Sequence, residues 1–147
     1  MPRESCSRCQ SGYNPATVPF DYIIDRERRL VISVAYGRLT FEEAEQHQHD
    51  LLADPEFERT FDQIGDFTRV TDFALTPEQV RIAASRCVFS AGSRRVGIAP
   101  DDLPYAMMRM FETYREMFGG GEITQVVRTR EEALAWYESH PKKKASA

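Results

Sequence analysis

The period of apolar positions along the chain changes repeatedly, and each change marks an element. Phe20 to Asp25 and Leu30 to Leu39 alternate apolar with polar residues, the period of a strand. The charged Arg26-Glu27-Arg28-Arg29 between them predicts the turn of an antiparallel hairpin. Thr40-Phe41-Glu42-Glu43 then reads as a capping box, in which the threonine hydroxyl takes a free amide and the glutamate reaches back to the cap. The helix it opens runs to about Ala53, with Phe41, Ala44, Gln48 and Leu51 on its inner stripe, and Asp54-Pro55 ends it. Phe61 to Phe67 is predicted as a strand anchored by Ile64 and Phe67. A second capping box, Thr76-Pro77-Glu78-Gln79, opens a helix whose stripe is Val80, Ala83, Ala84, Cys87 and Val88, with Gly92 as its stop. Arg95 to Ala99 is a short strand, and after Pro104 a third helix runs to Phe118 and closes at Gly119-Gly120-Gly121. Ile123 to Arg128 is a further strand. Thr129-Arg130-Glu131-Glu132 is a third capping box, for a last helix with Ala133, Leu134 and Tyr137 on one face.

The predicted order is therefore ββαβαβαβα. Strands that alternate with single helices require crossover connections, so the expected fold is α/β: a mixed, mostly parallel sheet of four to five strands with about four helices, the opening hairpin supplying an antiparallel edge. In open sheets of this type ligands gather near the carboxyl ends of the strands. Residues 1–18, rich in Ser, Pro, Gly and Asn without an apolar period, are expected to be a flexible arm, and 142–147 a short basic tail, leaving 19–141 as one domain.

Composition adds exclusions. The 147 residues suffice for one core without disulfides, and 41% hydrophobic with 29% charged residues is an ordinary globular balance. A net charge of −4 gives no basic stripe for a phosphate backbone, so nucleic acid is not an expected partner. No run approaches the roughly 20 apolar residues of a membrane span, and the first 19 residues have no secretory apolar core, so a cytoplasmic protein without integral membrane association is expected. Three cysteines, Cys6, Cys9 and Cys87, fit free thiols in a reducing compartment.

No catalytic signature emerges. Cys6-Ser7-Arg8-Cys9 lacks the second ligand pair of a zinc site and the strand-to-helix setting of a redox pair. His47, His49 and Asp50 share a helix, but the i, i+2 spacing turns the two rings to different faces, so this trio is expected on a solvated surface. The acidic residues between Glu42 and Asp62 read as a water-facing face. No cofactor, metal or catalytic residue is therefore expected, and the chain is read as a non-enzymatic binding or regulatory domain, an enzyme with an unrecognised cleft being one alternative. Tyr105 to Phe118 stands apart. Met107, Phe111, Tyr114 and Phe118 form one stripe, and Met108, Met110 and Met117 widen it beyond what one sheet contact needs. Methionine suits surfaces that adapt to varied apolar shapes. Met107, Met110, Phe111, Tyr114 and Phe118 are thus the candidate contacts for a lipid or other apolar small molecule, or for a second copy in a homodimer.

Three segments, RRLVISVAYGRLTFEEAEQH, LLADPEFERTFDQIGDFTRVTDFALTPEQV and RTREEALAWYES, resemble the SpoIIAA-like family of small bacterial proteins, also called STAS/SEC14-type. The resemblance implies a four- or five-stranded mixed sheet packed with helices. Members of this fold include anti-sigma-factor antagonists, switched by phosphorylation of a serine at a helix N-terminus, and CRAL-TRIO relatives that bind lipids. Asp66-Phe67-Thr68 is similar to the antagonists' D-L-S segment, and Ala74-Leu75-Thr76-Pro77 stands where their D-S-S-G motif would be. Thr76 is the candidate phosphoacceptor of a partner-switching regulator, though the motif's aspartate and glycine are absent, and as an N-cap it already has a structural role.

Overall fold

The computed structural model describes residues 20–141. The predicted arm, with Cys6 and Cys9, and the basic tail lie outside the described residues. Strands β1 (Phe20–Asp25) and β2 (Leu30–Leu39) form the expected hairpin, with Phe20 opposite Ala35 and Asp25 opposite Leu30. They are followed by α1 (Phe41–Ala53), β3 (Asp62–Phe73), α2 (Pro77–Ala84), β4 (Arg94–Ile98), α3 (Asp102–Met117), β5 (Ile123–Val127) and α4 (Arg130–Ser139). The five strands lie in the order β1-β2-β3-β4-β5, with β2 to β5 parallel and β1 antiparallel at the edge.

Each crossover advances one place in the same direction. With right-handed connections, that puts α1, α2 and α3 on one face of the sheet. The other face carries α4, whose Ala133 packs with Val96 and Ile98. The core between the sheet and α1–α3 divides into two clusters: one around Val31, Leu51, Phe61, Val88 and Phe89, the other around Ala35, Leu39, Val70, Leu75 and Val80. All three capping boxes form, at Thr40 with Glu43, Thr76 with Gln79 and Thr129 with Glu132.

Three boundaries differ from the sequence pattern by more than one residue. β3 continues six residues past Phe67 to Phe73. Beyond Asp66 it pairs with β2 alone, through two irregularities that insert extra β3 residues opposite Val34–Tyr36 and Gly37–Arg38. Thr68, Arg69, Thr71 and Asp72 are exposed or nearly so on this ribbon, so the segment carries no buried alternation to reveal it. The predicted second helix stops at Ala84, and Cys87 and Val88 lie beyond it. There the guanidinium of Arg115, from α3, donates through Nη1 to the carbonyl oxygens of Ala84 (2.8 Å) and Arg86 (3.3 Å) in place of further helical amides. Conversely α3 starts at Asp102, ahead of Pro104, because a first-turn proline lacks only an amide that would have no helical partner.

Candidate functional site

Two rows of side chains cross the sheet on its three-helix face. In the first, Gln63 of β3 pairs with Arg95 of β4 and Arg95 with Thr124 of β5. In the second, Ser33 pairs with Gly65, Gly65 with Gly97, and Gly97 with Val126. The two glycines make that row shallow. A Cβ on Gly97 would run into the methyl of Met108, so the glycine is what lets α3 lay this side chain on the sheet.

Above the shallow row, α1, α2 and α3 leave a cavity of about 160 Å³. Phe20, Leu39, Phe67, Val80, Met107 and Phe111 give it apolar walls. Polar groups enter from the sheet and from α1. His47 Nε2 lies 2.9 Å from Ser33 Oγ, and its ring stacks on Phe20 with centroids 4.3 Å apart. Gln63 Nε2 donates to the same serine oxygen at 3.1 Å, while its Oε1 accepts from Arg95 Nε (3.1 Å) and Nη2 (3.0 Å). Arg95 Nη1 donates to Glu122 Oε2 at 2.8 Å, and Arg115 Nη2 donates to Glu122 Oε1 at 2.8 Å. A continuous polar chain thus runs beneath the helices from His47 to Arg115.

Electrostatics follow from this burial. The Arg95 guanidinium sits 4.4 Å from the Phe89 ring centroid and 5.5 Å from that of Phe111, and burial lowers its pKa from the usual arginine value. Burial opposes the charge of Glu122 too, but hydrogen bonds and charge from Arg115 and Arg95 prevail and hold its carboxyl below the usual range. Glu112, which lines the cavity and is paired with Arg109 at 3.2 Å, is pushed up by burial. On the opposite face, Asp66 loses hydration to burial, yet bonds from Thr68 and Arg130 keep its carboxyl below the usual range.

The structure separates the residues that the sequence grouped. Met107 and Phe111 line the cavity, joined by Met108. Met110 packs half-buried against the Leu39–Val80 cluster, while Tyr114 stacks on Phe118 at 6.1 Å and Phe118 and Met117 are exposed. Thr76 is exposed as the cap of α2, its hydroxyl accepting from Gln79 N at 3.1 Å. The expectation of a solvated histidine face is corrected at one position: His49 is exposed, but His47 is buried at 7% exposure because the ladder places a polar Ser33 opposite it. Ser33, Gln63, Arg95 and Glu122 were missed altogether. For Ser33, Gln63 and Arg95 the signal was polar residues at inward positions of alternating strands, with glycines in mid-strand, whereas Glu122 precedes β5.

Ser33 and His47 stand at the distance of a nucleophile and its base. Ser33 is flanked by β1 and β3, however, so its amide belongs to the ladder, and its hydroxyl also takes the Gln63 bond. The arrangement orders the wall of an apolar space. Among the described residues no group of His, Cys, Asp and Glu is placed to hold a metal, and no helix is long and apolar enough to cross a membrane.

No family model matches the sequence, and no curated protein matches it. Among solved structures, the chain is similar to an uncharacterised protein of the DUF3478 family with a SpoIIAA-like fold from Shewanella loihica PV-4. The two share 18% identity with a TM-score of 0.52, over 85% of this chain and 98% of that one. At that identity the likeness is one of fold, and it agrees with the strand and helix order described above.

Proposed function

We propose, with the SpoIIAA-like fold as premise, that the chain is a non-enzymatic binding domain with regulatory use, and that its ligand is a small apolar molecule held between the sheet and α1–α3. The observation that supports this reading is the cavity of about 160 Å³ with predominantly apolar walls. An engineered apolar cavity of about 150 Å³ stays dry and takes benzene. The space therefore suits a single ring or a short chain, and a whole membrane lipid exceeds it. Because the walls come from three helices, occupancy would be felt by all of them, which is how a small ligand biases a larger surface toward one state.

Toluene is a suitable probe. A ligand that binds only the folded state at about 100 times its Kd adds about 2.7 kcal/mol of stability. Toluene is therefore expected to raise the melting temperature of the wild type saturably. In Ala44→Leu, which adds side-chain volume at the cavity wall in a residue type that favours helix, the ligand effect should largely vanish while the unliganded variant remains as stable as the wild type. Equal stabilisation of both proteins would place toluene elsewhere and refute the assignment. Self-association has its own candidate surface, the exposed Met117 and Phe118 at the end of α3, and native mass spectrometry reads subunit number and any retained ligand together.

A further inference from the structure

The face of the sheet that carries α4 is covered over only part of its width. α4 lies over β4 and β5, where its Ala133 packs on Val96 and Ile98. Register carries the same face onward across β3, β2 and β1: Val96 stands opposite Ile64, Ile64 opposite Ile32, and Ile32 opposite Ile23. Val34, two residues from Ile32, points the same way. Ile23 is 57% exposed, Ile32, Val34 and Ile64 are half-buried, and among the described residues no core cluster includes Ile23, Ile32 or Val34. α4 walls this strip on one side. Its Arg130 and Tyr137 reach Asp66 and Asp62 of β3, so Leu134, one helical turn from each, lies on that side as well, 55% exposed.

Width and charge restrict what fits there. Three strands about 4.8 Å apart give a strip about 10 Å wide, the diameter of one α-helix, and the six residues of β1 make it about 20 Å long. A helix of about 13 residues has that length. The strip falls well short of the roughly 800 Å² per partner that a stable complex of two folded copies buries. Its far rim is acidic: Asp21 and Asp25 flank Ile23 on the same face of β1, with Arg28 3.8 Å from Asp25 at the turn. On β3, Asp62 and Asp66 are each matched by an arginine, Arg94 and Arg130. A second copy would bring the same aspartates to the strip, like charge against like. The sequence outside the described residues offers no matching stripe, since 142–147 are basic without a large apolar side chain and 1–19 hold Pro2, Pro15 and Pro19 with no apolar period. We propose that the strip docks an amphipathic helix of a partner protein, laid beside α4 with its apolar stripe on the three isoleucines and with lysines or arginines along the edge that overhangs β1. The strip lies across the sheet from the cavity, so the proposal stands apart from the reading of the ligand site.

Two labelled helical peptides of about 14 residues test it by fluorescence anisotropy against the full chain. Both carry leucines at i, i+3, i+4 and i+7, flanked by lysines in one and by glutamates in the other. The lysine peptide is expected to bind saturably, and the glutamate peptide at least about tenfold more weakly. Ile23→Ser and Leu134→Ser, both at exposed positions, should each weaken the lysine peptide about fivefold or more, while Met117→Ser, exposed at the end of α3, leaves it within about 2-fold. Isoleucine methyl NMR reads the same contact without a substitution: Ile23 and Ile32 should shift, and Ile24, which packs on the opposite face, should not. No saturable binding, equal binding of the two peptides, binding unchanged in both variants, or methyl shifts that spare Ile23 overturn the proposal. A dimer of the chain alone that Ile23→Ser dissociates would assign the strip to a second copy and overturn it as well.

Discussion

Replacing Glu122 by alanine is expected to cost about 3–5 kcal/mol, enough to unfold much of a domain whose total stability is of the order of 5–15 kcal/mol. The Glu122 side chain is 1% exposed and accepts from two guanidinium groups, Arg95 and Arg115, that are themselves largely buried. Without the carboxylate both cations stay in the interior with no counter-charge, and it is this stranded charge that makes the loss large. Arg115 also holds the Ala84 and Arg86 carbonyl oxygens at the end of α2, so its displacement loosens a second element. Glu122→Gln keeps shape and an acceptor and should lose less. Urea unfolding measures both variants, and a loss below about 1 kcal/mol in Glu122→Ala would contradict the account. The pH dependence has a definite sign. Folding lowers the pKa of Glu122, so the stabilisation is complete above the unfolded carboxylate value of about 4.3 and is lost as pH falls through the folded value. That acid limb should flatten in Glu122→Gln.

Asp62→Ala is the second large loss, also about 3–5 kcal/mol, and it acts on the other face of the sheet. Asp62 accepts from the amide of Arg94 at 2.8 Å, from Arg94 Nη2 at 2.7 Å and from the hydroxyl of Tyr137 at 2.9 Å. Arg94 Nη1 in turn donates to the carbonyl oxygens of Tyr137 (3.1 Å) and His140 (2.6 Å) at the end of α4. One carboxylate thus anchors the arginine that anchors the helix, so amide exchange in α4 should quicken more than in α1. Tyr137 supplies a spectroscopic reading. Burial, then the Asp62 hydrogen bond and charge, raise its pKa to about 12. In the wild type this protonated tyrosine contributes stability below pH about 10, lost as pH rises towards about 12. Ultraviolet titration of Asp62→Ala should show the phenol ionising nearer its ordinary value, and an unchanged titration would exclude the Asp62 contact.

The elements were legible where local chemistry and tertiary structure agree. All three capping boxes name their helices in four residues each, and the hairpin follows from alternation around a charged turn. The second half of β3 was not legible, because it pairs with one neighbour and Thr68, Arg69, Thr71 and Asp72 face solvent around the single buried Val70, so its polar run resembles a loop. The end of α2 was hidden for a different reason: the cap is a guanidinium 31 positions away from Ala84 in the chain. For the site, Met107 and Phe111 were visible as an over-wide apolar stripe. Its polar side was not, since Ser33, Gln63 and Arg95 are contiguous only through strand register, and His47 reads as surface until Ser33 is placed opposite it. Gly65 and Gly97 carried the remaining hint, as residues whose missing side chains open space above a strand.

The central claim, that the cavity under α3 admits a small apolar molecule, is tested most directly by methyl NMR of the methionines during a toluene titration. Met107 and Met108 line the cavity, whereas Met117 is exposed on the same helix. Saturable shifts at Met107 and Met108, with Met117 unmoved, are the predicted result. Shifts confined to Met117, or no saturable shift at any methionine, would contradict it.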